Sequence, residues 1–159
     1  MSGDADPPER TPADTAVVLD AMLGTLATYL RMAGYDAAYA LDRGVEADDA
    51  LADLADAEGR LLVTRDAELA ASADGLLVES REVIDQLREL SKAGFELALS
   101  EPARCSKCNG ALVEVDADAR TPSYAPETGA RRVWRCPSCG QCFWKGSHWV
   151  DVAETLSGL

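Results

Sequence analysis

The chain has 159 residues, enough for one domain or for a domain with a small module beside it. Its net charge is −13, no apolar run approaches the length of a membrane span, and residues 1–12 lack the apolar stretch of a secretory signal. These features argue against a membrane-spanning protein and against a secreted disulfide scaffold, and predict a reduced, cytoplasmic setting.

The charge is unevenly placed. Residues 1–100 carry 21 acidic and 8 basic side chains, whereas residues 101–159 carry 7 of each. Only three of the fifteen basic residues are lysine. Abundant surface acid with little lysine fits a halophilic protein, in which charge maintains solubility at high salt. Under such conditions an acidic surface does not exclude a nucleic-acid partner.

Residues 1–14, rich in Pro, Asp and Ala, read as a disordered arm. Ala16–Leu19 is a short apolar run of strand type that ends at Asp20. Met22–Ala33 places Leu23, Leu26, Ala27 and Leu30 at helical spacing, and Gly34 closes that helix. Asp36–Leu41 reads as a second strand. Asp48 then stands as N-cap of a helix carrying Leu51, Leu54 and Ala55 up to Gly59. Leu61–Val63 is a third strand, followed by Thr64-Arg65-Asp66 and a short helix. Gly75–Val78 is a fourth strand, and Arg81–Lys92 an amphipathic helix ending near Gly94. Regular β-α alternation with short connections predicts an α/β fold with a three-layer parallel sheet over residues 15–94. Residues 95–103 read as a connector, 104–150 as a zinc ribbon and 151–159 as a tail.

The ribbon is expected from two Cys-x-x-Cys pairs, Cys105/Cys108 and Cys136/Cys139. Four thiolates at that spacing suit the tetrahedral shell of a structural Zn²⁺. A fifth cysteine, Cys142, would also satisfy a two-residue gap after Cys139. Pro137 and Gly140 favour 136/139 as the knuckle, leaving Cys142 to pack as a small hydrophobe beside Phe143. Between Glu127 and Asp151 there is no acid, but Arg131, Arg132, Arg135 and Lys145 occur there, interleaved with Trp134, Phe143, Trp144, His148 and Trp149. A basic, aromatic strip can stack on bases and meet phosphates. Aromatic residues in so small a module also serve as its core.

In an open parallel sheet, ligands bind outside the carboxyl ends of the strands. Asp20 directly follows the first strand, Asp66 follows the third, and Asp48 opens the helix between the second and third. Three converging carboxylates would offer a hard oxygen site for Mg²⁺ or Mn²⁺. Taken singly, Asp48 and Asp66 also read as helix caps, and Asp36, Asp42, Asp49 and Asp74 as solvated surface. No Gly-x-Gly-x-x-Gly or Walker-type loop is present, and the only histidine, His148, lies in the ribbon half.

Leu19-Asp20-Ala-Met-Leu-Gly-Thr-Leu-Ala27 and Leu30-Arg31-Met-Ala-Gly34-Tyr-Asp36 resemble the opening of the PIN-like RNase family named for the carboxy-terminal domain of Mut-seven. The resemblance continues through Asp48–Ala55, Leu61–Asp66, both cysteine pairs and Phe143-Trp144-Lys-Gly146-Ser147-His148-Trp149. It implies a PIN-like fold and a metal-dependent ribonuclease. By that resemblance Asp20, Asp48 and Asp66 are the acids that bind Mg²⁺ or Mn²⁺, with Asp49 an alternative to Asp48 and Glu68 or Asp74 a candidate fourth. RNA would be contacted by Arg65, Arg131, Arg132, Trp144 and Lys145, with Arg31 a further candidate for phosphate. Thr28 and Tyr29 depart from the Arg-Trp pair the family tends to carry there. The rival expectation is a non-catalytic adaptor that binds RNA or protein through its ribbon.

Overall fold

The computed structural model describes residues 7–159. Residues 1–6 of the expected arm lie outside them. Four strands, β1 (Ala16–Leu19), β2 (Asp36–Tyr39), β3 (Leu61–Thr64) and β4 (Leu76–Leu77), form one sheet in the order β2-β1-β3-β4, every pair parallel. The strands alternate with helices α1 (Gly24–Met32), α2 (Asp48–Glu58), α3 (Ala67–Ser72) and α4 (Val83–Lys92).

Both faces of the sheet are covered, as the unbroken apolar strands require. Val17, Leu19, Ala37 and Val63 point to the face packed by α1 and α4, with Leu26, Leu30, Leu87 and Leu90. Val18, Ala38 and Leu62 point to the other, against Leu51 and Ala55 of α2 and Leu69 of α3. The period-two division of side chains along each strand thus gives the three layers.

Several boundaries differ from the expected ones. Strand β2 stops at Tyr39 because residues 40–44 turn, with the Arg43 and Val45 amides donating to Ala40 O. The N-cap of α2 is Ala47, so Asp48 and Asp49 both occupy the first turn, where negative charge complements the helix dipole. Residues 7–14, expected as part of a disordered arm, instead run beside the connector. Arg10 N donates to Gly94 O at 2.8 Å, Glu96 N donates to Arg10 O at 2.8 Å, and the Arg10 guanidinium lies 5.5 Å from the Phe95 ring centre. Gly94 has φ +98°, and a Cβ there would fall 2.0 Å from Pro8 O, so the crossing requires glycine.

The second half is a three-stranded antiparallel sheet, β5 (Val113–Glu114), β6 (Trp134–Arg135) and β7 (Cys142–Phe143). It is followed by helix α5 (Ser147–Ser157), which takes up most of the span expected as a tail. Val152 and Leu156 of α5 are buried in the same cluster as Val17, Leu26 and Leu30, so the chain returns to cover the α/β core. Replacing Leu156 with alanine should therefore cost about 2–5 kcal/mol in urea unfolding, the range for a buried leucine. An unchanged midpoint would mean that α5 is not docked.

At the amino ends of the strands, Arg60 Nη1 donates to Val17 O, Asp36 O and Asp36 Oδ1, and its Nε donates to Glu58 Oε1 at 2.7 Å. Bonds from Arg43 and Arg60 bring the Glu58 carboxyl from 4.5 down to about 2. A carboxyl depressed in the folded state contributes stability above its unfolded pKa and loses it as pH falls toward the folded one. Glu58→Gln should lower the urea midpoint at pH 7 and flatten its decline between pH 4.5 and 2. Parallel declines in the two proteins would show that Glu58 contributes nothing.

Candidate active edge and metal centre

Strand β1 lies between β2 and β3, so the chain leaves it first to one side and then to the other. The carboxyl ends of β1 and β3 flank this switch point, where open α/β sheets form their crevice. Asp20 follows β1, its backbone N–H donating to Val63 O at 3.0 Å. Asp20 Oδ1 accepts from Ala21 N at 2.7 Å, which turns the chain into a single 3-10 turn, Ala21–Leu23. Asp20 Oδ2 accepts from the Thr64 hydroxyl at 2.7 Å. That hydroxyl, fully buried, accepts in turn from the Asp66 amide at 3.0 Å. Asp66 Oδ1 caps α3 by accepting from Glu68 N and Leu69 N. Among the described residues, Asp66 Oδ2 accepts no hydrogen bond.

Two predicted acids, Asp20 and Asp66, are thereby joined through Thr64, both half-buried. Asp48 is exposed at the start of α2. Among the described residues, the only group of three or more ligating side chains with ligand atoms within 4.8 Å of one another is the four cysteines. The three aspartates do not form such a group. An acid assigned to solvated surface borders this edge instead. Burial and the charges of Asp42 and Asp20 raise the Tyr39 hydroxyl pKa, and Tyr39 donates to Ala21 O. Asp42 is also bound by Arg31 at 3.2 Å.

Arg31 itself is no phosphate contact. It is 3% exposed, with Nε donating to Ala37 O and Nη1 to Ser106 O, so it rivets α1 to β2 and to the ribbon. Arg65 is different. Nη2 reaches Glu79 O at a long 3.4 Å, and its buried Nε has no hydrogen-bond partner among the described residues. An unsatisfied buried donor calls for an explanation, and this one belongs to the residue between Thr64 and Asp66.

The four predicted cysteines converge. Cys105 Sγ lies 3.6 Å from Cys139 Sγ, and Cys108 Sγ 3.4 Å from Cys136 Sγ. A zinc tetrahedron with Zn–S bonds of about 2.3 Å has edges of about 3.8 Å, so the set fits Zn²⁺. A Cβ on Gly110 would fall 2.7 Å from Cys136 Sγ, which keeps that position bare. Burial pushes the Cys105 thiol up to about 12. Burial also opposes ionisation of Cys136, but the Cys139 and Ser138 amides and the Cys108 thiol outweigh it and bring that group down to about 7. Four thiolates this close need a divalent charge between them. Cys142 stays outside the group, buried with Val115 and Val133.

The basic strip divides into two kinds of residue. Arg132 grips Glu114 at 2.8 Å and Glu101 at 2.7 Å, and lies 4.8 Å from the Trp134 ring centre. It clamps the connector to β5 and is not a free cation for phosphate. Arg131, whose Nη1 donates to Lys145 O, and Lys145 are exposed and form no ion pair among the described residues. Trp144 is half-buried, 6.2 Å from Tyr124.

Two residues central to this arrangement escape a reading of motifs. Thr64 is a polar residue at the end of a buried strand, which obliges it to find partners. Asn109 donates through Nδ2 to Asp36 Oδ1 at 2.7 Å and accepts the Ala37 N–H through Oδ1 at 2.8 Å. Its place after the first cysteine pair gave no sign that it reaches the other half.

The family model described as Mut7-C RNAse domain matches residues 15–156. No curated protein and no solved structure matches the chain.

Metal analysis should find one zinc per chain, lost in Cys139→Ser and retained in Cys142→Ala. Chelation should melt the ribbon, because structural zinc supplies folding free energy. Zinc retained at full occupancy in Cys139→Ser would refute the assigned ligand set.

Proposed function

The chain belongs to the Mut7-C RNAse domain family, and from that membership we propose that it hydrolyses RNA phosphodiester bonds at the Asp20–Thr64–Asp66 edge of a PIN-like fold. The observation that carries this reading is the hydrogen-bonded link between the two acids at the switch point, inside the matched span. Mg²⁺ is held by one or two carboxylates and keeps several waters, so Asp20 and Asp66 suit Mg²⁺ or Mn²⁺ without a third acid in contact. Asp48, or Asp49 beside it, enters the proposal as the acid contributed by α2. Bound there, the ion would acidify a water and offset charge on a phosphoryl oxygen.

The chain's own residues do the positioning. Thr64 holds Asp20 Oδ2 on one side and the Asp66 amide on the other, fixing the spacing of the two carboxylates. The α3 cap directs Asp66 Oδ1 into the helix and leaves Oδ2 for a ligand. Arg65, whose Nη2 is held only by the long bond to Glu79 O, supplies a positive charge to the phosphate. In the ribbon, Arg131 and Lys145 meet phosphates and Trp144 offers a ring edge; Arg132 contributes by holding Trp134 in place. The ribbon's zinc is structural in this scheme.

Cleavage of a labelled single-stranded RNA with Mn²⁺, in dilute and in molar KCl, tests the assignment. Asp20→Asn and Asp66→Asn should each lower the rate by at least about 100-fold, the scale of a lost charge-stabilising group. Thr64→Val should reduce it less while preserving zinc content. Wild-type rates in both aspartate variants would sink the proposal.

A further inference from the structure

Between the end of α1, the connector and the start of α5 lies a cavity of about 220 Å³, remote from the aspartate edge in the sequence elements that build it. Phe143, Trp144 and Trp149 supply its flat walls, Arg104 its charge, and His148 also lines it. We propose that this cavity takes one unstacked nucleobase of a single-stranded RNA. The inference rests on the ribonuclease reading and adds a subsite to it.

Four features select this occupant. The volume lies below the roughly 300–1,000 Å³ of pockets for drug-sized ligands, which suits a single ring system and not a whole cofactor. The rings match the way proteins hold splayed bases, by stacking on aromatic faces. Among the described residues no carboxylate lines the cavity, although the chain has 28 of them, and exposed Lys145 adjoins Trp144 where the strand's phosphates would pass.

The fourth feature decides between a base and an apolar peptide side chain. Among the described residues, the hydroxyls of Ser106 and Ser147 and the indole N–H groups of Trp144 and Trp149 make no hydrogen bond, and neither does the His148 ring. Covering them with an apolar group would strand several donors at about 1–3 kcal/mol each, whereas a base edge can pair with them. Gly146 supports the same reading. Its backbone is extended, so glycine is not demanded by strain, yet a Cβ there would stand 2.7 Å from Trp144 Nε1. The missing side chain keeps the approach to that N–H open.

The test uses the full zinc-loaded chain without added Mg²⁺ or Mn²⁺, so that binding is read apart from cleavage. Fluorescence anisotropy compares a labelled single-stranded RNA decamer with a decamer of the same backbone lacking its bases. Wild-type protein should bind the intact strand more tightly. Trp149→Leu, which keeps apolar bulk but cannot stack, should weaken that binding by about 5- to 150-fold, the range for one stacked base. Binding of the abasic strand and the salt dependence of binding should not change. Gly146→Ala should act in the same direction, with zinc content and melting temperature at wild-type values in both variants. If both variants weaken the two strands equally, or weaken neither, the inference is overturned. Loss of base-dependent binding with cleavage still sensitive to Asp20→Asn would remove this subsite alone; base-dependent binding without such cleavage would remove only the ribonuclease reading.

Discussion

The structure depends on the side-chain amide of Asn109. Strand β2 is an edge, and an edge presents backbone groups that must find partners or invite another chain. Asn109 meets that need with both ends of one amide, accepting from Ala37 N and donating to the Asp36 carboxylate. It can do so because the first cysteine knuckle holds it at φ +73°, a conformation asparagine tolerates better than most residues. The cysteine cluster is therefore tied to more than its own ribbon. Through Asn109, and through the Arg31 bond to Ser106 O, the knuckle covers the sheet edge and fixes where the ribbon stands.

The two ends of the sheet are built differently. At the amino ends, Arg60, Asp36 and Glu58 form an ion-pair network in which each charge has a partner and three backbone or carboxylate oxygens share one guanidinium nitrogen. Such an arrangement resists exchange with ligands. At the carboxyl ends, the Thr64 hydroxyl links the Asp20 carboxylate to the Asp66 backbone amide, and among the described residues no basic side chain pairs with either acid. Charge left uncompensated at a crevice costs stability, and folds that retain it do so where a cation or substrate provides the compensation. The contrast between the ends supports the placement of chemistry at the aspartate edge and of stability at Arg60.

Much of this was legible in the chain itself. Short wholly apolar runs alternating with amphipathic ones marked a doubly covered parallel sheet, and paired cysteine spacing marked the four-cysteine cluster that fits Zn²⁺, because both signals are local. Asp20 and Asp66 were legible since the residue after a parallel strand must emerge at one edge. What escaped depended on contacts distant in sequence. Arg31 and Arg132 read as free cations, but only the fold brings Ser106 and Asp42 to the first, and Glu101 and Glu114 to the second. Asp42 is exposed, as expected of surface, but its ion pair with Arg31, eleven residues back, was not legible. Helix α5 carried its signal openly in Trp149, Val152, Ala153 and Leu156, at helical spacing before Gly158, but the nearby ribbon motif drew the boundary too early.

The placement of α5 bears on how the two halves relate. A four-stranded sheet of strands two to four residues long buries little apolar surface, and small domains of this kind need added support. Here the support comes from both directions along the chain: Phe95, Leu97 and Leu99 of the connector pack onto the core as the chain leaves it, and Val152 and Leu156 as it comes back. Between these two returns sits the first cysteine knuckle, tied to the sheet edge by Asn109. The ribbon is thus enclosed by contacts to the α/β half at its start, its knuckle and its end. A surface on the ribbon is then held at a fixed distance and angle from the aspartate edge, which a flexibly tethered module could not provide. That fixed geometry is the condition under which a base seated at Trp149 and a phosphate at Asp20 could belong to one bound strand.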